Sequence, residues 1–508
     1  MRSRSKSEYV FLTSVLQMTV DWCDALAGQV TIDILPDDAL LYVFDFYLDE
    51  STIIEAWHTL IHVCRRWRIL VFGLPRRLNL EIVCRDKYRD RPGDRLDIWP
   101  ILPIILSGCC NSPARFGGVE TRLKHHADRL CEIRLDLTTS PYLEKAISAL
   151  EKPFPMLRYL QITAREEYPH PIYPNPDKFL GGSTHLRYLS LTGLPFPELP
   201  NLLLSFTDLE DLRLKDIPFS GFFPLDPMIT ALSALTKLKV LHFKLRHDSQ
   251  YPDHPNWERQ SLPLPTPAVL PSLTALNVKN YPQFLEDFMV RIDAPLLDFL
   301  HIASNNGSDL NLDSPIFRFI SLVPYFRSPD KAYIGIDTDI RKIWIEFSWP
   351  KQISRRPLSL GICYIARVPA PERQIPHLVQ FCREPLFPLP TLEDLHIGII
   401  MGARFSPQPL PDNVETTQWL ELLQPFTTVK NLYLTQEFAP SVAHALQDIT
   451  GERAMVLPTL ENVFIECLPS GSVHESIGRL SAARRLSGHP IGIHDWDGTG
   501  SISTRAGH

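Results

Sequence analysis

The chain has 508 residues and a formal net charge of −7, with 44% hydrophobic and 21% charged residues. These are globular values, and they give no electrostatic case for nucleic-acid binding. No stretch reaches the ~18 unbroken apolar residues of a membrane span, and 46 prolines stand against 23 glycines, which predicts stiff, extended connections.

Residues 1–30 come first. Arg2, Arg4 and Lys6 precede a mildly apolar run, Tyr9 to Val20, that Thr13, Ser14, Gln17 and Thr19 interrupt. No small-residue cleavage site follows, so the pattern predicts a poorly ordered leader and not a secretory signal. The nine cysteines are odd in number and include no Cys-x-x-Cys pair. That usage predicts reduced thiols, adjacent Cys109 and Cys110 included, and argues against a disulfide framework or a zinc ribbon.

Residues 31–77 carry the densest signal. Pro36 suits a first helical position, and Asp37 and Asp38 suit the positive end of the helix dipole. Leu40, Val43, Phe44 and Tyr47 then recur at helical spacing. A second apolar helix is predicted through Ile54, Trp57 and Leu60. A third places Val63, Cys64, Trp67, Leu70 and Val71 on one side, with Arg65, Arg66 and Arg68 on the other, and Gly73 and Pro75 end it. Leu35-Pro36-Asp37-Asp38, Leu40, Val43-Phe44 and the later Val63-Cys64-Arg65-Arg66-Trp67-Arg68 together resemble an F-box, with a longer interval than usual between Phe44 and Leu60. The resemblance covers a small part of the chain. It implies three helices docking a Skp-family adaptor and, through it, a cullin. It implies adaptor-facing roles for Leu35, Pro36, Leu40, Val43, Phe44, Leu60, Val63, Cys64, Trp67 and Leu70.

Residues 78–128 are predicted as a connecting and capping segment. A short strand at residues 76–80 leads into it, and it contains a solvated loop at 85–95 where Asp86, Asp90 and Asp94 interleave with basic residues, a buried anchor or short strand over Trp99–Leu106, and a helix over residues 119–130. From Leu130 an apolar-x-x-apolar-x-apolar pattern recurs. Its copies are Leu130/Ile133/Leu135, Leu157/Leu160/Ile162, Leu186/Leu189/Leu191, Leu209/Leu212/Leu214 and Leu238/Leu241/Phe243. They continue as Leu273/Leu276/Val278, Leu297/Leu300/Ile302, Ile340/Ile343/Ile345, Leu392/Leu395/Ile397, Val429/Leu432/Leu434 and Leu460/Val463/Ile465. This resembles a degenerate leucine-rich repeat. Of the positions where that family places Asn or Cys, only Asn305 conforms, so turns must be held by other means, with the prolines before several first anchors as candidates. The fold class expected is α/β: a three-helix F-box followed by an irregular leucine-rich-repeat-like solenoid over residues 129–486 with a curved parallel sheet. Residues 346–391 are expected to hide one or two further repeats. A helix from Val473 to Leu486 caps the array, and residues 487–508 form a tail.

Candidate chemistry is sparse. Asp495-Trp496-Asp497-Gly498-Thr499-Gly500 begins like a calcium loop, but its last ligand position is Ala506. His58 and His62 have zinc-compatible spacing without the Glu of a metalloprotease motif. No cofactor, no metal and no catalytic machinery are expected. What remains is a sheet surface. The central outward residues of successive repeats are Arg134, Gln161, Ser190, Arg213, His242, Asn277, His301, Trp344, His396, Tyr433 and Phe464. Aromatic residues are enriched at interface anchors, so Trp344, His396, Tyr433 and Phe464 are the candidate substrate-binding residues. The expected function is the substrate-recognition subunit of a Skp/cullin/F-box (SCF-type) ubiquitin ligase in the cytoplasm, the nucleus or both, with an unknown protein substrate, no nucleic acid and no membrane. The alternative is a non-catalytic leucine-rich-repeat scaffold acting outside a ligase.

Overall fold

The computed structural model describes residues 35–50, 60, 62–73 and 80–84, and those from 103 to 496 apart from 166–169, 176–177, 182–184, 219–220, 222, 247–266, 281, 305–318, 321–322, 324–328, 338–341, 349–358, 366–378, 380–381, 383–390, 400–415, 448–455, 467–471 and 487. The chain divides into two units, Met1–Val83 with Asp90–Ile105, and Cys84–Arg89 with Leu106–His508. The expected leader and the expected helix through Ile54 and Trp57 lie outside the described residues.

In the first unit, α1 (Asp37–Glu50) and α2 (Arg65–Gly73) are followed by β1 (Leu80–Cys84). Asp37 and Asp38 occupy the first turn of α1, where the dipole favours them. Leu40, Leu41 and Phe44 of α1, Leu60, and Trp67 and Val71 of α2 are buried. The Phe44 and Trp67 rings meet at 4.7 Å, tilted by 60°.

The second unit strings strands and helices together: β2 (Ile104–Cys110), α3 (Pro113–His125), β3 (Leu130–Leu137), α4 (Ser140–Leu150), β4 (Tyr159–Ala164), β5 (Tyr188–Thr192), α5 (Leu199–Leu203), β6 (Asp211–Ile217), α6 (Leu225–Ala234) and β7 (Val240–Leu245). There follow β8 (Ala268–Val269), β9 (Ala275–Asn280), α7 (Pro282–Val290), β10 (Ile292–Asp293), β11 (Phe299–Ser304), β12 (Lys331–Asp337), β13 (Lys342–Ser348) and β14 (Ser359–Ile365). The last elements are β15 (Asp394–Ile399), α8 (Thr416–Leu423), β16 (Asn431–Leu434), α9 (Ala439–Gln447), β17 (Asn462–Glu466), α10 (Ser472–Leu486) and β18 (Gly492–Trp496). One large sheet runs in the order β2-β3-β4-β5-β6-β7-β9-β11-β14-β13-β12-β15-β16-β17-β18. Strands β3 to β7, β9, β11 and β14 pair in parallel, as do β12 and β15 to β18. Short β8 and β10 pair separately. No helix among the described residues is long and apolar enough to cross a membrane.

A uniformly parallel sheet was expected, and β13 corrects it. It pairs antiparallel with both β12 and β14. Only residues 338–341 separate β12 from β13. So short a link can join antiparallel neighbours, whereas a parallel crossover needs about a dozen residues. The meander is inserted backwards, with β14 beside β11 and β12 beside β15.

Burial alternates along the strands, as in β4 and β7. The inward row, including Ile133, Leu160, Leu189, Leu212, Leu241, Leu276, Leu300, Leu395, Leu432 and Val463, is fully or nearly fully buried. Helices complete this core through residues such as Leu143, Met228, Phe284 and Trp419, and the opposite face of the sheet carries half-buried residues such as Gln161, Arg213 and His242.

The entries to six strands explain what replaces an asparagine ladder there. A buried residue three positions before the first anchor accepts that anchor's N–H. The bonds are Leu157 to Phe154 (3.1 Å), Leu209 to Phe206 (3.0 Å), Leu238 to Leu235 (3.0 Å), Leu273 to Leu270 (3.2 Å), Leu297 to Ala294 (3.2 Å) and Leu460 to Leu457 (3.2 Å). All six acceptor residues are buried. The next N–H then donates to the preceding unit: Arg158 to the Cys131 carbonyl, Arg187 to Arg158, Glu210 to Arg187, Lys239 to Glu210, Thr274 to Lys239 and Asp298 to Thr274. The same ladder runs Glu393 to Asp330, Lys430 to Glu393, Glu461 to Lys430 and Gly492 to Glu461. Proline occupies some of these turns and is missing from Phe206-Thr207-Asp208-Leu209 and Leu235-Thr236-Lys237-Leu238. The apolar plug and the i to i+3 bond hold the turn.

Leu235→Ala is therefore expected to cost about 2–5 kcal/mol, whereas Pro271→Ala in an equivalent turn is expected to cost no more than about 1 kcal/mol. Urea unfolding of the two variants compares them.

Candidate docking surfaces

The first unit ties its two motif halves together. Arg66 lies in the first turn of α2, and its Nη2 donates to the Leu35 carbonyl at 2.6 Å and to Asp37 Oδ1 at 2.6 Å, while Nε reaches the same oxygen at 3.1 Å. The ion pair is solvent-exposed and contributes little energy, but it sets where α2 begins relative to the Leu35-Pro36 entry of α1. Cys64 stands just before α2 and accepts the Trp67 N–H on its sulfur at 3.4 Å, as an N-cap residue does.

Burial sorts the ten expected adaptor-facing residues. Leu40, Phe44, Leu60 and Trp67 are buried and help form the core of their own unit. Leu35, Cys64 and Leu70 are half-buried, and Pro36 is exposed. Val43 is 37% exposed and Val63 53%. Tyr42 and Ile69, which sequence reasoning missed, are 62% and 60% exposed. They are apolar positions off the periodic stripe, so periodicity gave no reason to single them out.

In the second unit, the register places most of the expected outward residues on one rung. Arg134, Gln161, Ser190, Arg213, His242, Asn277 and His301 follow one another across β3 to β11. From β12 at the far edge of the meander the rung continues through Tyr333, His396, Tyr433, Phe464 and His494. Trp344 does not join it. The residue opposite Tyr333 is Glu346, and Trp344 lies opposite Gly335 and Cys363, because β13 runs in reverse and its register could not be extrapolated from parallel repeats.

His396, Tyr433 and Phe464 do come together. The His396 and Tyr433 rings stack at 4.0 Å, Tyr433 and Phe464 at 4.5 Å, and Phe464 and His494 at 5.0 Å. Trp496 stands edge-on to His396 at 5.7 Å and to Tyr433 at 5.5 Å. Beside the rings, the side-chain amide of Asn431 donates to Asp394 at 2.8 Å and that of Asn462 donates to Asn431 at 2.9 Å, while His494 Nε2 lies 3.2 Å from Asn462 Oδ1. Lys331 closes this row on Asp394 at 2.9 Å. The stacked rings use their faces on one another, so the row is a continuous strip of rings along one rung. Strand β18 supplies two of the five rings from a segment expected as tail. Its signal was the alternation of Ile491 and Ile493, without the apolar-x-x lead that marks the other strands.

The polar half has its own ladder. Tyr159 and Tyr188 stack at 4.0 Å, Arg134 lies over Tyr159 at 5.0 Å and Arg213 over Tyr188 at 5.2 Å. Cation–π contacts of this kind contribute about 0.5–2 kcal/mol.

Among the described residues, no group of three His, Cys, Asp or Glu could hold a metal ion. His58 lies outside them, and His62 is exposed. Cys64, Cys109 and Cys382 are free, and burial pushes the Cys131 thiol up to about 11. Comparison with models of known protein families and with curated proteins finds no match.

Burial pushes the His396 imidazole down to about 4, with Lys331 adding to the effect and Asp394 opposing it. The folded state thus favours the neutral ring, while the unfolded chain takes up a proton near pH 6.5. The stability tied to His396 is present above about pH 6.5 and lost as pH falls toward about 4. His396→Phe keeps a ring in the stack, so its melting temperature is expected to fall less than that of the wild type across this window.

Proposed function

We propose that the chain is the substrate-recognition subunit of an SCF-type ubiquitin ligase. Its F-box-like unit docks a Skp-family adaptor and, through it, a cullin. The sheet, read as a leucine-rich-repeat-like solenoid with a curved face, holds a protein substrate. The chain itself would catalyse nothing. It would raise the effective concentration of the substrate near a ubiquitin-loaded enzyme, in the cytoplasm, the nucleus or both.

The observation that carries this reading is the joined motif. Leu35-Pro36-Asp37 and Cys64-Arg65-Arg66-Trp67 are far apart in sequence, and Arg66 bonds them directly. On this reading Leu40, Phe44, Leu60 and Trp67 shape the unit, while exposed Pro36, Val43 and Val63, flanked by Leu35, Cys64 and Leu70, offer the adaptor contact. The competing reading is an interaction scaffold outside a ligase. It draws on that same burial, since a unit that buries its own central anchors can serve as a cap.

Co-expression of the full chain with a Skp-family adaptor separates the two. The wild type is expected to retain the adaptor on purification, and Val43→Glu with Val63→Glu is expected to weaken it by at least roughly tenfold without changing the thermal melt, because both side chains are exposed. If the wild type retains no adaptor, the ligase reading fails.

A further inference from the structure

The sheet face carries a second concentration of chemistry, well before the aromatic row in chain order. Arg213 on β6, His242 on β7, Asn277 on β9 and His301 on β11 share a rung. Two positions further along the strands, Lys244 is in register with Lys279. Between the Leu214–Phe243 and Ile217–Leu245 pairs the register shifts, so Lys215 and Asp216 both oppose Lys244. This is a β-bulge, a feature that re-aims side chains, and Asp216 takes a φ of 50° there.

The result is a crowd of cations. Strands β6, β7 and β9 carry Arg213, Lys215, Lys244 and Lys279, and their carboxylates are Asp211 and Asp216. Asp211 pairs with Arg213 at 2.9 Å and Asp216 with Lys244 at 2.8 Å. Lys215 pairs with no carboxylate among the described residues. Burial, then Arg213 and Lys244, push its ammonium below the ordinary value. Burial pushes His242 down to about 3, and Lys215 and Arg213 add to this. Like charges on neighbouring strands weaken a sheet, and this chain is acidic overall at −7. Asp216 and Asp211 oppose these effects on Lys215 more weakly, so it sits among like charges without an ion-pair partner of its own among the described residues.

We propose that this patch docks an acidic segment of a partner protein, an extended stretch with carboxylates spaced along it. Adjacent strands lie about 4.8 Å apart and same-face positions along a strand about 7 Å apart. The cations are therefore spread over roughly 10 Å and do not converge on one point, as donors to a single phosphate would. An extended chain places alternate side chains about 7 Å apart, which matches that spread. His242, neutral at pH 7, and Asn277 lie beside the cations and offer hydrogen bonds to such a segment. The surface does not depend on the ligase reading, because a scaffold could use it equally.

Fluorescence anisotropy of a labelled peptide alternating Glu and Ser, titrated with the full chain at low salt, tests this. The wild type is expected to bind, with affinity falling as salt screens the charges. Lys215→Met combined with Lys244→Gln is expected to weaken binding at least roughly tenfold. Lys145→Gln, an exposed position on α4, is expected to bind as the wild type does. Lys215→Met alone is expected to weaken binding while keeping or raising the melting temperature, since it removes a half-buried charge from like neighbours. The proposal is overturned if the wild type ignores the peptide, if a Gln-for-Glu peptide binds equally, if only a phosphoserine-bearing Gln peptide binds, or if Lys215→Met lowers the melting temperature and leaves binding unchanged.

Discussion

The second unit depends on one repeated backbone arrangement. A buried apolar residue plugs the core, its carbonyl takes the N–H of the anchor three residues later, and the following N–H is handed to the preceding unit. Buried backbone groups must be paired, and here two consecutive donors are satisfied, one locally and one across the repeat. The local bond shapes the turn, and the ladder bond sets the register. Between one turn and the next, the chain is free to vary in length and content. That freedom allows connections as different as the short α5 and the longer α7 to return to the same sheet.

Because register is set at the strand entry, whatever occupies the outward positions is stacked at strand spacing. Aromatic side chains at about 4.8 Å intervals fall into ring contact without further design. The His396-Tyr433-Phe464-His494 row and the Tyr159-Tyr188 pair are both products of this geometry. The same spacing crowds like charges where cations recur, as Lys215 and Lys244 do beside the bulge. The face is thus a graded surface, cationic and polar over β6 to β9 and apolar over β15 to β18.

The first unit works on a smaller scale. Among the described residues its core is a few large side chains, with Phe44 against Trp67, and so small a core is marginal by itself. Arg66 adds geometry more than energy, joining Leu35 and Asp37 to the start of α2. The residues that define the F-box-like pattern therefore fall into two groups, those that hold the unit together and those left at its surface. A motif read from sequence alone does not separate them, since both groups share the same apolar periodicity.

Most strands were legible because Leu-x-x-Leu-x-Leu carries both the turn anchor and the inward alternation, two local signals at fixed spacing. Strands β12, β14 and β18 lack the first signal, and alternation alone over six or seven residues does not stand out. The reversal of β13 was beyond local reading, because strand direction depends on which neighbour a strand meets and not on its own residues. That reversal decides why Trp344 leaves the rung while His396, Tyr433 and Phe464 share it. Residue types and spacing by themselves determined that inward leucines would form a sheet and that Leu35-Pro36 and Cys64 to Trp67 belong to one helical unit, because those patterns are set within a turn or a strand. Only the tertiary structure decided which of those motif residues are buried, which strand runs backwards, and that a bulge gathers Lys215 and Lys244, because each depends on contacts between segments remote in sequence.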